Sequence, residues 1–372
     1  MLIILGVLLA LIVVAIGFCL FFFFKRMLST FGVDVKNKWV KVVVVALAVV
    51  FALLSAYIMN VASVVILHVV IIGLIIQFFN FIIKKIFRHR YDGFDMWKKI
   101  YGSGVLPILL TILIIITANV NLHNIVETNY TVYTDKSIRS QGYRVALVAD
   151  VHFGVSLTYD ELVEKCEQIS ARDVDVLALC GDIVDNSTST EQMEEVFTAF
   201  SNVRTKYGVY YVYGNHDRPM NMLTSEYTSD ELINVIKNCG ITILRDSVVR
   251  IADDFVMIGR EDAMTRDRLP LNELLLDVDK NSFVLTLDHQ PNQYAENGKE
   301  GTDLLLSGHT HGGQLFPINI IMKVFGINDG VYGLYQIDSD TQAVVTSGFA
   351  GWNYPVKNAA PAEYVIIDIL PN

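Results

Sequence analysis

The chain has 372 residues, of which 52% are hydrophobic, and its mean hydropathy is +0.42. This is too apolar for an ordinary water-soluble enzyme, and the excess lies at one end. Residues 1–126 carry 11 Lys/Arg and 3 Asp/Glu, whereas residues 127–372 carry 18 Lys/Arg and 36 Asp/Glu. Such a difference indicates two physically distinct modules. The net charge of −18 on the second module argues against nucleic-acid binding, which requires a basic face.

The first module, residues 1–126, has the composition of a membrane anchor. It begins with 23 residues, 2–24, that carry no charge, which is enough to cross a hydrocarbon core of about 30 Å. Lys25 and Arg26 follow this stretch rather than precede it, the reverse of the charge order in a cleaved signal peptide. We predict an all-α region of four transmembrane helices, at residues 2–24, 42–59, 64–83 and 105–121.

The loop charges predict the orientation of these helices. Residues 25–41 contain five Lys/Arg and residues 84–99 contain six, whereas residues 42–83 and 106–135 contain none. Positively charged loops remain in the cytoplasm. We therefore expect an integral, multi-pass protein of the cytoplasmic membrane whose second module lies outside.

The second module, residues 127–372, shows apolar strands that alternate with helices, the pattern of an α/β domain. After a short linker, strands are predicted at 143–149, 174–179, 209–213, 241–244, 255–258, 282–287, 303–306, 343–346 and 364–369, and helices at 157–171, 189–205 and 230–238. The four cysteines have no metal-binding spacing and are interpreted as small buried residues, with a Cys166–Cys239 bridge left open.

Five of these strands end in residues that can bind a metal ion. All five histidines of the second module follow such a strand, and carboxylates or an amide accompany them. Structural histidines would be scattered, so this arrangement indicates one shared site at the carboxyl ends of the strands. The potential ligands at these strand ends are Asp150 and His152; Asp182 and Asp185; Asn215, His216 and Asp217; Asp288 and His289; and His309 and His311.

Imidazole, carboxylate and amide ligands together suit divalent manganese, iron or zinc, whereas calcium and magnesium prefer oxygen alone. The ligands are too many for one ion. Two ions, typically ~3.5–4 Å apart, would lower the pKa of a water molecule and neutralise phosphoryl oxygens during cleavage of a phosphoester. We therefore predict two divalent metal ions, with manganese favoured.

The motifs Asp150-x-His152, GDIVD at 181–185, GNHD at 214–217, His289 and GHTH at 308–311 resemble those of the calcineurin-like metallophosphoesterases. The longer GHTHGGQ and the SGFAGWNYP stretch look like the membrane-anchored branch of this superfamily. The resemblance implies a four-layer α/β/β/α sandwich rather than a simple doubly wound sheet. It also implies hydrolysis of a phosphomonoester or phosphodiester.

The resemblance also implies roles for the site residues. One metal would take Asp150, His152, Asp182 and His311, and the other would take Asp182 as a bridge with Asn215, His289 and His309. His216 would stabilise charge or protonate the leaving oxygen, Asp185 would orient it, and Asp217 would cap a turn. Ser/Thr phosphatases of the superfamily have Arg after GDxxD; here Asn186 stands there, which disfavours protein phosphatase activity.

Three features leave alternatives open. The apolar stretch 315–322 is either a wall that faces lipid or a core strand. The loop with Trp352, Tyr354 and Lys357 either closes over the site, with Lys357 binding phosphate, or is an ordinary surface loop. Four arginines are either further phosphate contacts or solvated surface residues: Arg218, Arg260, Arg266 and Arg268.

The function that these observations favour is a membrane-anchored phosphoesterase acting on a phosphoester of lipid or cell-envelope origin. The alternative is a slow or inactive membrane sensor that uses the metal-bound domain to bind a ligand. A transport component is disfavoured, because the four spans contain no embedded acidic or basic residue to line a path. The sequence indicates neither the natural substrate nor the oligomeric state.

Overall fold

The computed structural model describes residues 2–57, 60–218 and 225–372. It consists of two compact units, Met1–Thr117 and Ala118–Asn372. The boundary lies inside the fourth long apolar helix, so the last residues of that helix belong to the second unit.

The first unit is helical. Its helices are α1 (Leu2–Thr30), α2 (Lys38–Ala56), α3 (Val61–Ile86), α4 (Asp95–Ser103) and the first part of α5 (Val105–His123). Four of them are long and apolar enough to cross a membrane, with mean hydropathies of 2.2 to 2.7, which confirms the four predicted helices. Asn60, which lies between the second and third predicted helices, is a helix cap, because its side chain accepts the Ser63 N–H. Residues 58 and 59 lie outside the described residues. Helix α4 was not predicted.

The second unit contains two mixed sheets. Their strands are β1 (Val126–Thr134), β2 (Tyr143–Val148), β3 (Val176–Cys180), β4 (Val209–Val212), β5 (Thr242–Ile243), β6 (Ser247–Ala252), β7 (Phe255–Gly259), β8 (Phe283–Leu287), β9 (Leu304–Ser307), β10 (Gly333–Gln336), β11 (Gln342–Val345) and β12 (Glu363–Pro371). Among the described residues, one sheet has the order β1-β12-β2-β3-β4-β5 and the other β10-β11-β9-β8-β7-β6.

Helices cover the outer face of each sheet. The helices of this unit are α6 (Tyr159–Ser170), α7 (Thr190–Ser201), α8 (Ser229–Asn238), α9 (Leu271–Leu274), α10 (Tyr294–Glu300) and α11 (Ile318–Phe325), and α11 is the exception to this covering role because none of its residues is buried. Helices α6, α7 and α8 share an apolar core with β3 of the first sheet, and Leu271 of α9 packs with Ile258 and Val284 of the second. Between the sheets, Leu147 and Ala178 lie in the same buried cluster as Leu285 and Leu306. The four-layer α/β/β/α sandwich is therefore confirmed.

One prediction about local structure was wrong, and the structure decides two alternatives that the sequence left open. The linker predicted after residue 126 contains β1, which pairs in parallel with β12; its exposed and partly buried residues hide the strand pattern. The stretch 315–322 is not a core strand, because α11 occupies most of it and has no buried residue. The bridge left open between Cys166 and Cys239 is not formed, since both thiols are free.

Candidate metal centre

The predicted ligands meet where five parallel-strand ends approach each other. Strands β2, β3 and β4 of the first sheet run parallel, as do β8 and β9 of the second. Two hydrogen bonds join the sheets at this edge. His289 Nδ1 donates to the Cys180 carbonyl at 2.8 Å, and the Cys180 thiol donates to the Leu306 carbonyl at 3.2 Å. The strand ends of both sheets therefore contribute to one site.

The first ligand group contains Asp150, His152 and His311, all buried. His152 Nδ1 lies 3.1 Å from Asp185 Oδ2, which places the ring proton on Nδ1 and leaves a lone pair on Nε2. That Nε2 lies 3.2 Å from His311 Nε2, and His311 Nε2 lies 3.6 Å from Asp150 Oδ1. Three candidate ligand atoms on two strand-end loops, after β2 and after β9, thus converge.

The second ligand group contains Asp182, His289 and His309. Since His289 Nδ1 donates to a carbonyl, its Nε2 carries a lone pair, and this atom lies 3.1 Å from Asp182 Oδ2. Asn215 Oδ1 and His309 Nδ1 lie 2.8 Å apart, so these two ligand atoms also face each other. Asp182 Oδ2 is also 3.7 Å from His152 Nε2 of the first group. Asp182 therefore lies between the two groups.

His216 and Asp185 border the ligand groups. Asp185 Oδ2 lies 3.5 Å from His216 Nδ1, farther than its 3.1 Å separation from His152. Burial lowers the pKa of His216, and the nearby Asp182 carboxylate opposes this effect. The His216 ring is 5.1 Å from the Trp352 ring, centroid to centroid. A cavity of about 400 Å³ opens here, lined by His216, Asp185, Trp352, Val155, Asn186, Ser187 and Asn353.

Five of the candidate ligands have a positive φ, which is costly for residues other than glycine. The angles lie between 42° and 70° at Asp150, His152, Asp182, His309 and His311. Gly181 has φ +81°, and a Cβ there would lie 2.6 Å from both the Gly214 nitrogen and His289 Nδ1. The loops therefore adopt backbone conformations that are intrinsically unfavourable. These conformations direct the candidate ligands toward the same site.

The buried carboxylate of Asp217 holds two of these loops together. Its oxygens accept the backbone N–H groups of Asp182, Ile183, Val184 and Gly214 at 2.7 to 3.1 Å. Asp182 Oδ1 in turn accepts the His216 N–H at 2.8 Å. The turn-capping interpretation of Asp217 agrees with this geometry.

The electrostatics of the site fit bound cations. Burial and the nearby Asp182 carboxylate raise the pKa of Asp150 to about 6. Burial alone would lower the pKa of His289, but the Asp182 and Asp150 carboxylates raise it well above the ordinary value. The Asp150 and Asp182 carboxylates thus stabilise positive charge beside them, either as a proton on the His289 ring or as a bound cation. Burial lowers the pKa of His309 to about 4 and that of His311 well below its usual value, which favours the neutral form that binds metals.

Several candidate phosphate contacts lie elsewhere. Lys357 is buried, and its Nζ donates to the Ser347, Gly348 and Ala350 carbonyls, so it does not reach a phosphate. Burial lowers its pKa to about 8. No pattern in the sequence indicates this role, because lysine is rarely buried.

The four arginines that were candidate phosphate contacts also lie outside the cavity beside His216. Arg218 pairs with Glu261 at 2.6 Å, and Arg260 and Arg268 both pair with Asp288. Arg266 is exposed. None of these four guanidinium groups lines the cavity beside His216.

Comparison with known proteins agrees with this site. Residues 143–313 match the family model of the calcineurin-like phosphoesterases. An uncharacterized metallophosphoesterase of Helicobacter pylori is 27% identical over 245 residues, 64% of this chain and 62% of that protein. A Danio rerio transmembrane protein with metallophosphoesterase domain is 26% identical over 60% of this chain and 52% of its own length. The crystal structure of a dimetal phosphatase from Danio rerio covers 62% of this chain and 94% of its own, with 12% identity and a TM-score of 0.42.

The fold and the site define a domain of the metal-dependent phosphoesterase class. More closely, residues 143–313 carry a calcineurin-like phosphoesterase domain, and relatives named as transmembrane proteins with a metallophosphoesterase domain, together with the four apolar helices, support the membrane-anchored branch. The match spans less than two thirds of the Helicobacter relative and about half of the Danio relative.

Replacing Asp217 by Asn is expected to weaken metal binding as well as folding. The amide keeps the shape but turns an N–H donor toward backbone N–H groups that need an acceptor, a loss of about 3 kcal/mol. For a domain of this size the melting temperature of the full chain in detergent should fall by roughly 6–12 °C. Bound metal, measured by elemental analysis, should fall with it. Asp277→Asn, at an exposed position, is the control. Retained stability and metal content would contradict the role of Asp217.

Replacing Lys357 by Met should destabilise the domain although the side chain touches no substrate. Met fills similar space but leaves three buried carbonyl groups without their donor, and each such loss costs about 1–3 kcal/mol before relaxation. We expect the melting temperature of the full chain to fall by roughly 5–10 °C. The exposed Lys299→Met is the matched control, and an equal melting temperature for the two variants would refute this role.

Proposed function

We propose that this protein is a membrane-anchored phosphoesterase that uses two divalent metal ions, with manganese favoured over iron or zinc. The observation that carries the proposal is the convergence of two ligand groups, Asp150–His152–His311 and Asp182–His289–His309, within one strand-end site. Buried carboxylates, imidazoles and an amide oxygen in this number suit a pair of cations and have no simpler structural purpose.

In this proposal one ion is held by Asp150, His152, Asp182 and His311. The other is held by Asp182, Asn215, His289 and His309. The position of Asp182 Oδ2, 3.1 Å from His289 Nε2 and 3.7 Å from His152 Nε2, supports its role as the bridge. When bound, the ions supply Lewis acidity, which lowers the pKa of water and neutralises phosphoryl oxygens.

The chain's own residues orient the ester and handle the proton. His216 lies at the border between the ligand groups and the cavity, where its ring can protonate the leaving oxygen or hydrogen-bond to the phosphoryl group. Asp185, 3.5 Å from His216 Nδ1, favours the protonated ring and keeps its orientation. The same carboxylate fixes the tautomer of His152, so Asp185 acts on a ligand as well as on the acid.

The loop charges support an outward-facing domain on the cytoplasmic membrane. The four apolar helices, which would hold the domain at a bilayer, favour a phosphomonoester or phosphodiester of lipid or envelope origin as the substrate. Among the described residues that line the cavity beside His216, one is aromatic, Trp352, and none is an arginine. In this proposal the phosphate is therefore bound without a bidentate arginine contact.

The full-length protein should hydrolyse bis(p-nitrophenyl) phosphate or p-nitrophenyl phosphate when manganese is present. Chelator should abolish turnover, and added manganese should restore it. Asp182→Asn should reduce kcat by at least 10³-fold, because the variant weakens both ion sites. The readout is p-nitrophenol release by protein in detergent, with bound metal measured on the same samples. No turnover with two metals bound per chain would contradict the enzyme and favour the sensor.

Replacing His216 by Asn should lower kcat while leaving metal content unchanged. Loss of a general acid typically costs 10²–10⁴-fold. The loss should be larger for phenyl phosphate than for p-nitrophenyl phosphate, because the poorer leaving group needs the proton more. Steady-state kinetics on both esters measures this difference. An equal loss for the two esters would show that His216 does not protonate the leaving oxygen.

A further inference from the structure

An exposed apolar face directly follows the metal-site loop. It is formed by Phe316, helix α11 and Ile327 and is here named the α11 face. The exposed fractions of Phe316, Val324, Phe325 and Ile327 are 57%, 72%, 76% and 58%. Ile318, Ile320 and Ile321 are exposed as well. Large apolar side chains concentrated in this way mark a surface that contacts something other than water.

The charge around this face differs from that of the rest of the domain. Residues 304–328 contain no Asp or Glu, and Lys323 is their only Lys or Arg. The domain as a whole carries 18 Lys/Arg and 36 Asp/Glu. An anionic lipid surface repels acidic protein surfaces and attracts lysine. The α11 face is thus a stretch of this acidic domain whose own residues would not be repelled from such a surface.

Hydrogen bonds tie the start of the α11 face to the loop 352–360. Gln314 Nε2 donates to the carbonyls of Trp352 at 3.0 Å and Val356 at 3.2 Å. The Phe316 N–H donates to Asn358 Oδ1 at 2.7 Å. The face is therefore anchored to that loop on its metal-site side.

The same loop is hydrogen-bonded to the end of helix α5, within the second unit. Asn119 Nδ2 donates to the Pro355 carbonyl at 2.9 Å, and the Lys357 N–H donates to the Ala118 carbonyl at 3.0 Å. Helix α5 is one of the four helices long and apolar enough to cross a membrane. One short loop therefore links the last turns of a membrane-spanning helix to the α11 face.

The sheet topology places the metal site on this side too. Val126, three residues after α5 ends, pairs with Glu363 at the start of β12. Strand β12 is antiparallel to β2, so it starts at the edge where β2 ends and Asp150 follows. The chain therefore enters the domain at the edge that carries the ligands.

We infer that the α11 face inserts into the bilayer that α5 spans and holds the metal-site edge of the domain at the lipid surface. A bilayer is the occupant that covalent continuity with α5 supplies. A protein partner would have to reach a face whose anchoring loop is bonded to the membrane-spanning helix itself. The contact does not depend on the proposed catalytic activity.

The test measures depth in the membrane of single labelled positions in the full-length protein. Cysteines at Val324→Cys and Phe325→Cys, in a Cys19→Ala, Cys239→Ser background, carry an environment-sensitive fluorophore. The protein is placed in vesicles of phosphatidylethanolamine and phosphatidylglycerol with or without acyl-brominated lipid, a quencher confined to the hydrocarbon. Lys323→Cys, at the charged position of the same helix, and Leu276→Cys, an exposed apolar position elsewhere (79%), are the controls.

The bilayer contact predicts quenching at positions 324 and 325 at least three-fold stronger than at 276, with 323 in between. Equal quenching at 324 and 276 would overturn it. Protection at 324 from both brominated lipid and aqueous iodide would also overturn it, since protein would then cover the face.

The double variant Val324→Glu/Phe325→Glu, read from a label at Phe316→Cys, should lose the deep signal. It should keep its hydrolysis of bis(p-nitrophenyl) phosphate, since both positions are exposed and outside the site. A deep wild-type signal without any hydrolysis would refute the enzyme and retain the bilayer contact, so the two proposals fail separately.

Discussion

The carboxylate of Asp217 accepts four backbone N–H groups from two strand-end loops, and the ligand arrangement depends on this interaction. The loops after β3 and β4 carry Asp182, Asn215 and His216, and neither loop could otherwise satisfy its N–H groups away from water. The buried Asp217 side chain therefore provides the hydrogen-bond acceptors that neighbouring strands would provide if β3 and β4 continued past this edge. In this arrangement Asp182 Oδ1 accepts the His216 N–H, and Oδ2 faces the imidazoles of His152 and His289.

This organisation makes the site unfavourable by itself and favourable with cations. Asp150 and Asp182 are both buried, and five ligands have positive φ. Each such backbone conformation costs of order 1–3 kcal/mol and persists only where surroundings enforce it. The two-sheet core supplies that enforcement, because each ligand follows a strand whose residues are fully packed. Packing of the core thus offsets the strain of the loop backbones. The buried carboxylates still lack positive partners, and a bound cation would supply them.

The sequence allowed the grouping of the candidate ligands to be predicted because each one follows a short apolar run, so that burial of the strand fixes the start of the loop. The four-layer sandwich was predicted from the family resemblance. The periodicity of the sequence alone predicted only an α/β domain. Features without such a run escaped prediction. Strand β1 is an edge strand with alternating exposure, and its pairing with β12 spans more than two hundred residues of sequence.

Other features depend on three-dimensional proximity that no local pattern records. Lys357 binds carbonyls of a loop 7 to 10 residues away in sequence but next to Asp150 in space. The closer approach of Asp185 to His152 than to His216 likewise arises from loop geometry. The stretch 315–322 was ambiguous because apolar content alone does not separate a helix from a strand, and exposure of such a segment is unusual in a soluble domain.

The charge distribution gives the apolar face its physical meaning. A domain with a net charge of −18 is repelled from an anionic bilayer, and at physiological ionic strength this repulsion acts over about 8 Å. An anchor alone would hold the chain near the membrane without choosing which surface of the domain approaches it. The acid-free stretch 304–328 is continuous with the ligand loop, and its anchoring loop is bonded to the end of α5. Repulsion of the acidic surfaces from the bilayer and apolar contact by the α11 face favour the same orientation of the domain. A substrate in the lipid surface would then reach the metal-site edge without rotation of the domain.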